Sequence, residues 1–195
     1  MNFLTLENIT KSYGEKVLFQ NLSLYIDKGQ KIGLIAKNGT GKTTLMRVIA
    51  GLEGSEGERA KIILRKDIRI GWLDQEPRFH PELDVLPAVL DPANPLVRIV
   101  KRYEKALAHP EKAEELQEAM AEMDMQNAWS FEARVKELLF RFRLDDFEQK
   151  VNTLSGGQQK RLALVKILLD EPDFLILDEP TNHLDALSVQ WLEQF

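Results

Sequence analysis

One stretch of the sequence carries the residue types that hold a phosphate group. It runs over 36–44 and contains Gly39, Gly41, Lys42 and Thr43. Glycine lets the backbone close around an anion, and the N–H groups of such a loop and of the helix after it point at the phosphate. The lysine supplies positive charge for the β- and γ-phosphates, and the threonine hydroxyl is placed for Mg²⁺. The sequence therefore predicts a phosphate-binding loop.

The residues on either side of this loop fit the prediction. The apolar run at 32–35 predicts a strand before the loop, and the run at 45–50 predicts a helix after it. One position departs from the pattern G-x-x-x-x-G-K-S/T, because Ala36 stands where the first glycine is expected. Alanine needs a negative φ, so we expect a slightly altered start of the loop with binding retained.

Two carboxylates follow a second apolar run. The run at 174–177 contains no polar residue, which predicts a strand buried on both faces of a parallel sheet. Asp178, Glu179 and Pro180 come directly after it. Ligands of α/β sheets lie beyond the carboxyl ends of the strands. We therefore predict that Asp178 holds Mg²⁺ and that Glu179 polarises an attacking water as general base.

The stretch 154–158, Leu-Ser-Gly-Gly-Gln, opens a predicted helix. Ser155 fits the N-cap position, and Gln158 three residues later completes a capping box. A cap alone does not need two glycines, which cost about 1 kcal/mol each relative to alanine inside a helix. A backbone that must approach an anion does need them. The residues themselves leave both interpretations open.

Two further residues have weaker local signals. Tyr13 lies in a β-rich N-terminal part and can stack on a flat base, although the local sequence favours an ordinary strand aromatic. Gln75 lies at the end of a predicted strand, where its amide can reach a metal or a water. A glutamine that is only a solvated turn residue would occupy the same kind of position, so the local sequence is weak evidence for a functional role of Gln75.

The composition limits the classes of function. The chain has 195 residues, of which 44% are hydrophobic and 29% charged, and this balance is typical of a soluble globular protein. It has no cysteine, which excludes disulfides and thiolate metal sites. The net charge of −5 disfavours a generally basic nucleic-acid binder. No apolar run approaches about 18 residues and no signal peptide is evident, so we expect a cytoplasmic protein without a membrane segment.

The segment 77–150 has a different composition. After several prolines it contains three helical patterns, at about 96–107, 111–125 and 128–142. The first is basic and the second acidic, and the break between them predicts an αα-hairpin at about 93–125. The basic helix would suit RNA phosphates, although a solvated charged face has the same composition.

Together these motifs resemble the nucleotide-binding domain of ABC ATPases over essentially the whole chain. The stretch 36–44 is similar to the Walker A loop, and 174–179 is similar to Walker B with its catalytic glutamate. The stretch 154–158 is the ABC signature and is the most specific of the motifs. Gln75 lies where the family has its Q-loop glutamine. Tyr13 lies where the family has its A-loop aromatic, and this favours base stacking.

The resemblance implies an α/β fold of the P-loop NTPase type. It implies an N-terminal antiparallel β subdomain, a mostly parallel core sheet and a helical subdomain with a short arm-like helical hairpin. Within one domain over 1–195, we expect the β subdomain and P-loop core at 1–76 and the helical subdomain at 77–153. The signature helix, Walker B and the D-loop then occupy 154–195.

The resemblance also implies ATP and Mg²⁺ as ligands, together with a set of site residues. The catalytic residues are Glu179 and Gln75, and the metal-binding residues are Thr43, Gln75 and Asp178. The ATP-binding residues are Tyr13, Asn38, Gly39, Thr40, Gly41, Lys42, Thr43 and Thr44. The signature residues that would meet ATP held by another domain are Leu154, Ser155, Gly156, Gly157 and Gln158. The D-loop residues are His183, Leu184 and Asp185.

The closer resemblance is to the ABC-F group, whose members have no transmembrane segments. The sequence Thr-Asn-His-Leu-Asp at 181–185 is the form common in that group, and the predicted hairpin resembles its arm. Members carry two such domains in tandem and act as ATP-gated factors on ribosomes. The resemblance therefore implies two partners, a second ABC domain of the same chain and, through the arm, the ribosome (rRNA or tRNA).

The sequence stops at Phe195, before the position of the family's switch histidine, and His183 is not that residue. We therefore expect a C-terminally truncated domain of a longer protein that binds ATP weakly and hydrolyses it poorly. The alternative is the ATP-binding subunit of an ABC membrane transporter, whose membrane partner would dock near Gln75. A structural or repair role on DNA is disfavoured, because the insert is too short for the long coiled coils of such proteins.

Overall fold

The structure of the chain is a computed structural model that describes residues 1–180, apart from the side chain of Glu132. The described residues belong to two compact units. The first unit comprises Met1–Trp72 and Pro172–Asp178, and the second comprises Leu73–Glu171 with Glu179 and Pro180.

The first unit begins with an antiparallel β-hairpin. Strands β1 (Asn2–Tyr13) and β2 (Lys16–Asp27) pair along their lengths, and β3 (Lys61–Leu64) pairs antiparallel with the other edge of β1. Gly14 starts the tight turn of the hairpin with φ of +58°, a conformation that L side chains rarely adopt. The antiparallel β subdomain that the sequence predicts is confirmed.

The core of the first unit lies between β1 and helix α1 (Lys42–Ile49). Leu4 and Leu6 alternate along one face of β1 and are completely buried. Val48 of α1 is also fully buried, one turn after the buried Leu45. This packing fixes the start of α1, and therefore the phosphate loop before it, relative to the sheet.

A second sheet of the described chain pairs β4 (Ile70–Leu73) with β5 (Phe174–Leu177). Both strands are predicted by the sequence. The strand predicted at 32–35 is wrong, because this segment has no strand structure and Ile35 is 96% exposed. A strand exists only through pairing with a neighbour, and no strand of residues 1–180 pairs with 32–35.

The second unit is helical. Its α-helices are α2 (Val85–Val89), α3 (Pro95–Leu107), α4 (Ala113–Met125), α5 (Trp129–Arg141) and α6 (Gly156–Leu169), with a 3₁₀ turn at Val151–Thr153. The sequence pattern predicts α3, α4, α5 and α6, but neither α2 nor the 3₁₀ turn. Helix α2 tolerates Pro87 because the proline lies in its first turn, where no N–H is required. None of the helices within residues 1–180 has the length and apolar content of a membrane span.

Helices α3 and α4 form the helical hairpin. Asn94 caps α3 by accepting the Leu96 N–H at 2.9 Å, and Pro95 occupies the first helical position. The Arg102 guanidinium donates to Glu118 at 3.0 Å and to Glu122 at 2.7 Å, so it links the two helices. The hairpin that the sequence predicts is confirmed.

The core of the first unit predicts a large difference between two apolar positions. Leu6→Ala should lower the free energy of unfolding by about 2–5 kcal/mol, because it leaves a cavity in a fully buried site. Ile63→Ala, on β3 and 47% exposed, should change it by only about 0.5 kcal/mol. Urea denaturation of the two variants measures the difference, and equal midpoints would contradict this location of the core.

Candidate functional site

The phosphate loop has left-handed backbone at two glycines. Gly39 has φ of +75° and Gly41, the N-cap of α1, has φ of +100°. A Cβ on Gly41 would lie 3.0 Å from the Cβ of Leu18, so both its φ and its surroundings require glycine. Ala36 is not in the left-handed region, which is how the loop accommodates alanine at that position.

The ammonium of Lys42 lies against the loop that precedes its helix. Its Nζ donates to the carbonyl oxygen of Ala36 at 2.9 Å and to the side-chain oxygen of Asn38 at 3.0 Å. The Thr40 hydroxyl donates to the carbonyl of Lys37 at 2.7 Å and closes the loop from within. The loop thus holds a cation beside the N-terminus of α1, as a phosphate site requires.

The loop is joined to the end of β5 by one hydrogen bond. The Thr43 hydroxyl donates to Oδ2 of Asp178 at 2.7 Å, across 135 positions of sequence. Asp178 is only 1% exposed, and its Oδ1 is buried without a hydrogen-bond partner among the described residues. The structure therefore brings together two of the residues that the sequence assigns to a metal.

This pair fits a Mg²⁺ ion. A buried carboxylate oxygen without a partner is costly unless a cation or a donor satisfies it. Mg²⁺ prefers oxygen ligands and binds proteins through one or two of them, together with water and substrate phosphates. Oδ1 of Asp178 and the Thr43 hydroxyl supply oxygens of this kind next to the phosphate loop.

Gln75 and Glu179, the two predicted catalytic residues, are also in contact. The amide Nε2 of Gln75 donates to Oε2 of Glu179 at 3.3 Å. Glu179 has φ of +46°, which is unusual for a residue other than glycine, asparagine or aspartate. Backbone strain of this kind concentrates at functional sites, where the surrounding structure maintains it.

Tyr13 lies at the tip of the β-hairpin with 54% of its surface exposed. Its hydroxyl donates to Oε1 of Glu53, which lies in the loop after α1. Lys16, its register partner on β2, donates to the carbonyl of Gly39 at 3.1 Å, so the hairpin tip is attached to the phosphate loop. Neither contact is predicted by the sequence motifs. The turn at Gly14 is a signal that places Lys16 opposite Tyr13, whereas nothing local points to Glu53.

The start of α6 has the predicted capping box. The Ser155 hydroxyl accepts the Gln158 N–H at 3.2 Å, and the Gln158 side chain accepts the Ser155 N–H at 2.9 Å. Leu154 is buried, while Ser155 and Gly156 face solvent. The predicted D-loop residues, His183, Leu184 and Asp185, lie outside the described residues.

Comparison with known families identifies the chain. The family model described as "ABC transporter" matches residues 19–182, which include the phosphate loop, the signature and the Asp178–Glu179 pair. The chain belongs to the ABC ATPase family. The family and the α/β fold that the sequence implies are therefore confirmed.

Curated relatives of this ABC ATPase domain are much longer than the chain. It is 40% identical to an uncharacterized ABC transporter ATP-binding protein, YfmR of Bacillus subtilis, over all of this chain and 32% of that protein. It is 36% identical to the energy-dependent translational throttle protein EttA of Mycobacterium tuberculosis, over 97% of this chain and 35% of that protein. The chain thus spans about a third of the length of these relatives.

Solved structures confirm the fold of the domain. An ATP-binding subunit of an ABC transporter superposes with a TM-score of 0.67 at 21% identity, covering 98% of this chain and 72% of that one. A dimeric post-hydrolysis state of the ATP-binding cassette MJ0796, bound to ADP and Pi, superposes with a TM-score of 0.63 at 24% identity. The superposition covers 98% of this chain and 80% of the MJ0796 chain.

The geometry of the phosphate loop predicts a sharp difference between two glycines. Gly41→Ala should lower both the melting temperature and the affinity for inorganic tripolyphosphate, because the new Cβ meets Leu18 and φ is left-handed. Gly33→Ala, where a Cβ meets nothing within 4 Å and φ is not left-handed, should leave both unchanged. Thermal melts and calorimetric titration measure the two effects. Identical behaviour of the two variants would mean that the loop has a different conformation.

Proposed function

We propose that the chain is the ATP-binding and ATP-hydrolysing domain of a tandem ABC-F protein that acts in the cytoplasm as an ATP-gated ribosome or translation factor. The observation that carries the ATP-binding part is the hydrogen bond between Thr43 and the buried Asp178. It joins a phosphate loop to a carboxylate with an unsatisfied oxygen, as nucleotide binding with Mg²⁺ requires.

Residues of the first unit bind ATP in this proposal. Lys42 exchanges its contacts with loop oxygens for the β- and γ-phosphates, while the loop N–H groups hold the phosphate oxygens. The ring of Tyr13 stacks on the base. Thr43 and Asp178 hold Mg²⁺, which when bound neutralises charge on the phosphates. The remaining loop contacts are assigned to Asn38, Gly39, Thr40, Gly41 and Thr44.

Hydrolysis is assigned to Glu179 and Gln75. The Glu179 carboxylate accepts a proton from the attacking water as general base. The Gln75 amide, which donates to this carboxylate at 3.3 Å, orients it and the water, and Gln75 is also a candidate metal ligand.

The signature residues are assigned to ATP held by a second ABC domain. A Cβ on Gly156 would meet nothing within 4 Å among the described residues, so packing inside the chain does not account for this glycine. Close approach of a ligand from outside accounts for it. The ATP-binding cassette MJ0796, which shares this fold, is dimeric in its ADP- and Pi-bound state. In the proposed protein, the nucleotide of the partner domain faces the five signature residues, which are Leu154, Ser155, Gly156, Gly157 and Gln158.

Three variants of the full-length protein separate these roles. Lys42→Ala should weaken ATP binding, whereas Glu179→Gln should retain binding and slow turnover by about 10²–10⁴-fold, because it removes the general base. Ser155→Arg should retain ATP binding by this domain and block turnover, because it obstructs the face that meets the other domain. Equilibrium binding and phosphate release measure the effects. If Ser155→Arg weakened binding as much as Lys42→Ala, the site would not have two separate faces.

The relationship to EttA supports a role on the ribosome. EttA is an ABC-F protein, and its name describes a translational throttle. The α3–α4 hairpin presents cations on α3, among them Arg98, Lys101 and Lys105, all of which are exposed. Arg102 has a different role, because it is bound to Glu118 and Glu122 of α4. The proposed contact with rRNA or tRNA phosphates therefore uses Arg98, Lys101 and Lys105 and not Arg102, whose charge is already paired.

The alternative function is the ATP-binding subunit of a membrane transporter. The relative YfmR is named as an ABC transporter ATP-binding protein, which favours this alternative. Full-length Glu179→Gln protein distinguishes the two functions. Sedimentation with ribosomes in the presence of ATP supports the ribosome factor, and fractionation with membranes supports the transporter subunit.

The hairpin cations give a quantitative prediction for ribosome binding. In the Glu179→Gln background, the double change Lys101→Glu and Lys105→Glu should weaken ribosome binding. It should also reduce the salt slope of binding by about 1 for each phosphate that the hairpin no longer neutralises. The double change Lys28→Glu and Lys66→Glu, at two exposed positions outside the hairpin, alters the net charge by the same amount and is the matched control, which should have no effect. An equal reduction in both proteins would show that net charge matters and the hairpin does not.

A further inference from the structure

The Tyr13 side chain is held by a hydrogen bond at its hydroxyl, while much of the residue is exposed to solvent. Its hydroxyl donates to the Glu53 carboxylate, 40 positions later in the chain, while 54% of the residue is exposed. An exposed tyrosine that only fills space in a sheet does not need a carboxylate to fix its hydroxyl. The arrangement suits a ring whose direction matters to a ligand.

Glu53 is itself fixed by cations from two other elements. The ammonium of Lys11, on β1, lies 3.2 Å from Oε1 of Glu53, and the guanidinium of Arg47, on α1, lies 3.8 Å from Oε2. The Lys11 ammonium also donates to the carbonyl of Gly54 at 3.0 Å. The side chains of Glu53 and Lys11 are only 20% and 13% exposed. They are therefore more strongly immobilised than an ordinary surface ion pair.

The same contacts keep the carboxylate charged. The hydrogen bond from the Tyr13 hydroxyl, followed by the contacts with Lys11 and Arg47, lowers the pKa of Glu53 below its usual range. The carboxylate is therefore ionised at neutral pH, where it can accept the hydrogen bond of the Tyr13 hydroxyl.

Lys11 also restricts which side of the ring is available. Its ammonium lies over the Tyr13 ring, 5.5 Å from the ring centroid. A ligand base can therefore stack only on the opposite face. At the tip of the hairpin, the Lys16 ammonium donates a hydrogen bond to the carbonyl of Gly39. This bond also restricts the distance between the Tyr13 ring and the phosphate loop.

We propose that Glu53 and Lys11 are positioning residues, which orient the Tyr13 ring so that its free face receives the adenine base of ATP. We call this pair the Tyr13 clamp. The inference rests on the proposed function, since it assumes that Tyr13 stacks on the base. Pre-orienting a side chain removes the entropy cost of ordering it on binding, which corresponds to about 3–10-fold in affinity for one such residue.

The test compares two ligands that differ by the base. ATP and inorganic tripolyphosphate are titrated into the full-length protein in a Glu179→Gln background with Mg²⁺ present. Lys42→Ala in the same background defines any signal from another site. Glu53→Ala should weaken ATP binding by about 3–10-fold and leave tripolyphosphate binding unchanged, because only ATP uses the ring.

Further variants test whether Glu53 affects ATP binding through the Tyr13 hydroxyl. Tyr13→Phe, which keeps the ring and removes the hydroxyl, should weaken ATP binding as much as Glu53→Ala, and the double variant should be no weaker than either. Glu53→Gln retains an oxygen acceptor and should recover most of the affinity. Glu56→Ala is the matched control for Glu53→Ala, because Glu56 also lies near the Lys11 ammonium, at 4.0 Å, but accepts from the Ser12 hydroxyl instead of the Tyr13 hydroxyl. It should bind both ligands normally.

Three results would overturn the proposal. If Glu53→Ala weakens both ligands equally, Glu53 only supports the loop. If Tyr13→Ala weakens ATP selectively and Glu53→Ala does not, the ring binds the base without needing the clamp. If Tyr13→Ala leaves the ratio of ATP to tripolyphosphate affinity unchanged, the base-stacking role in the proposed function is itself wrong.

Discussion

A single hydrogen bond, from the Thr43 hydroxyl to the carboxylate of Asp178, determines the construction of the candidate site. Burying a carboxylate almost completely is costly, and the chain satisfies only one of its two oxygens within the described residues. The hydrogen bond offsets part of this cost, and each partner is held in place by a regular element. Thr43 lies at the start of a helix whose residues Leu45 and Val48 are buried in the core, and Asp178 follows an apolar strand. The apolar core thus fixes where the polar chemistry takes place.

Sequence patterns predicted the features that depend on few consecutive residues. The capping box of Ser155 and Gln158 requires only four neighbouring positions, and it is present as expected. The place of Asp178 follows from the apolar run before it, since a strand buried in a sheet must deliver its next residue to the sheet's edge. The left-handed backbone at Gly41 likewise follows from the loop pattern. In each case the local rule and the tertiary structure agree.

Other features depend on distant parts of the chain and could not be predicted. The contact of Tyr13 with Glu53 joins positions that come close only because α1 packs on β1, and no periodicity encodes it. The ion pairs of Arg102 with two glutamates of α4 form only because the two helices turn these faces toward each other. The strand predicted at 32–35 is wrong for a related reason, because its composition fits a strand while pairing requires a neighbour, and residues 1–180 supply none.

The exposed apolar segment at 32–35 has a consequence for the behaviour of the chain in solution. A short run of β-forming residues outside any sheet of residues 1–180, with exposed side chains such as Ile32 and Ile35, is a template for strand addition by another molecule. Lys37 follows it directly in sequence after Ala36, and charged residues beside such a segment oppose association of this kind. A positive charge at this place disfavours the approach of a second copy, and salt screens it. We therefore expect self-association through this segment, where it occurs, to increase with ionic strength.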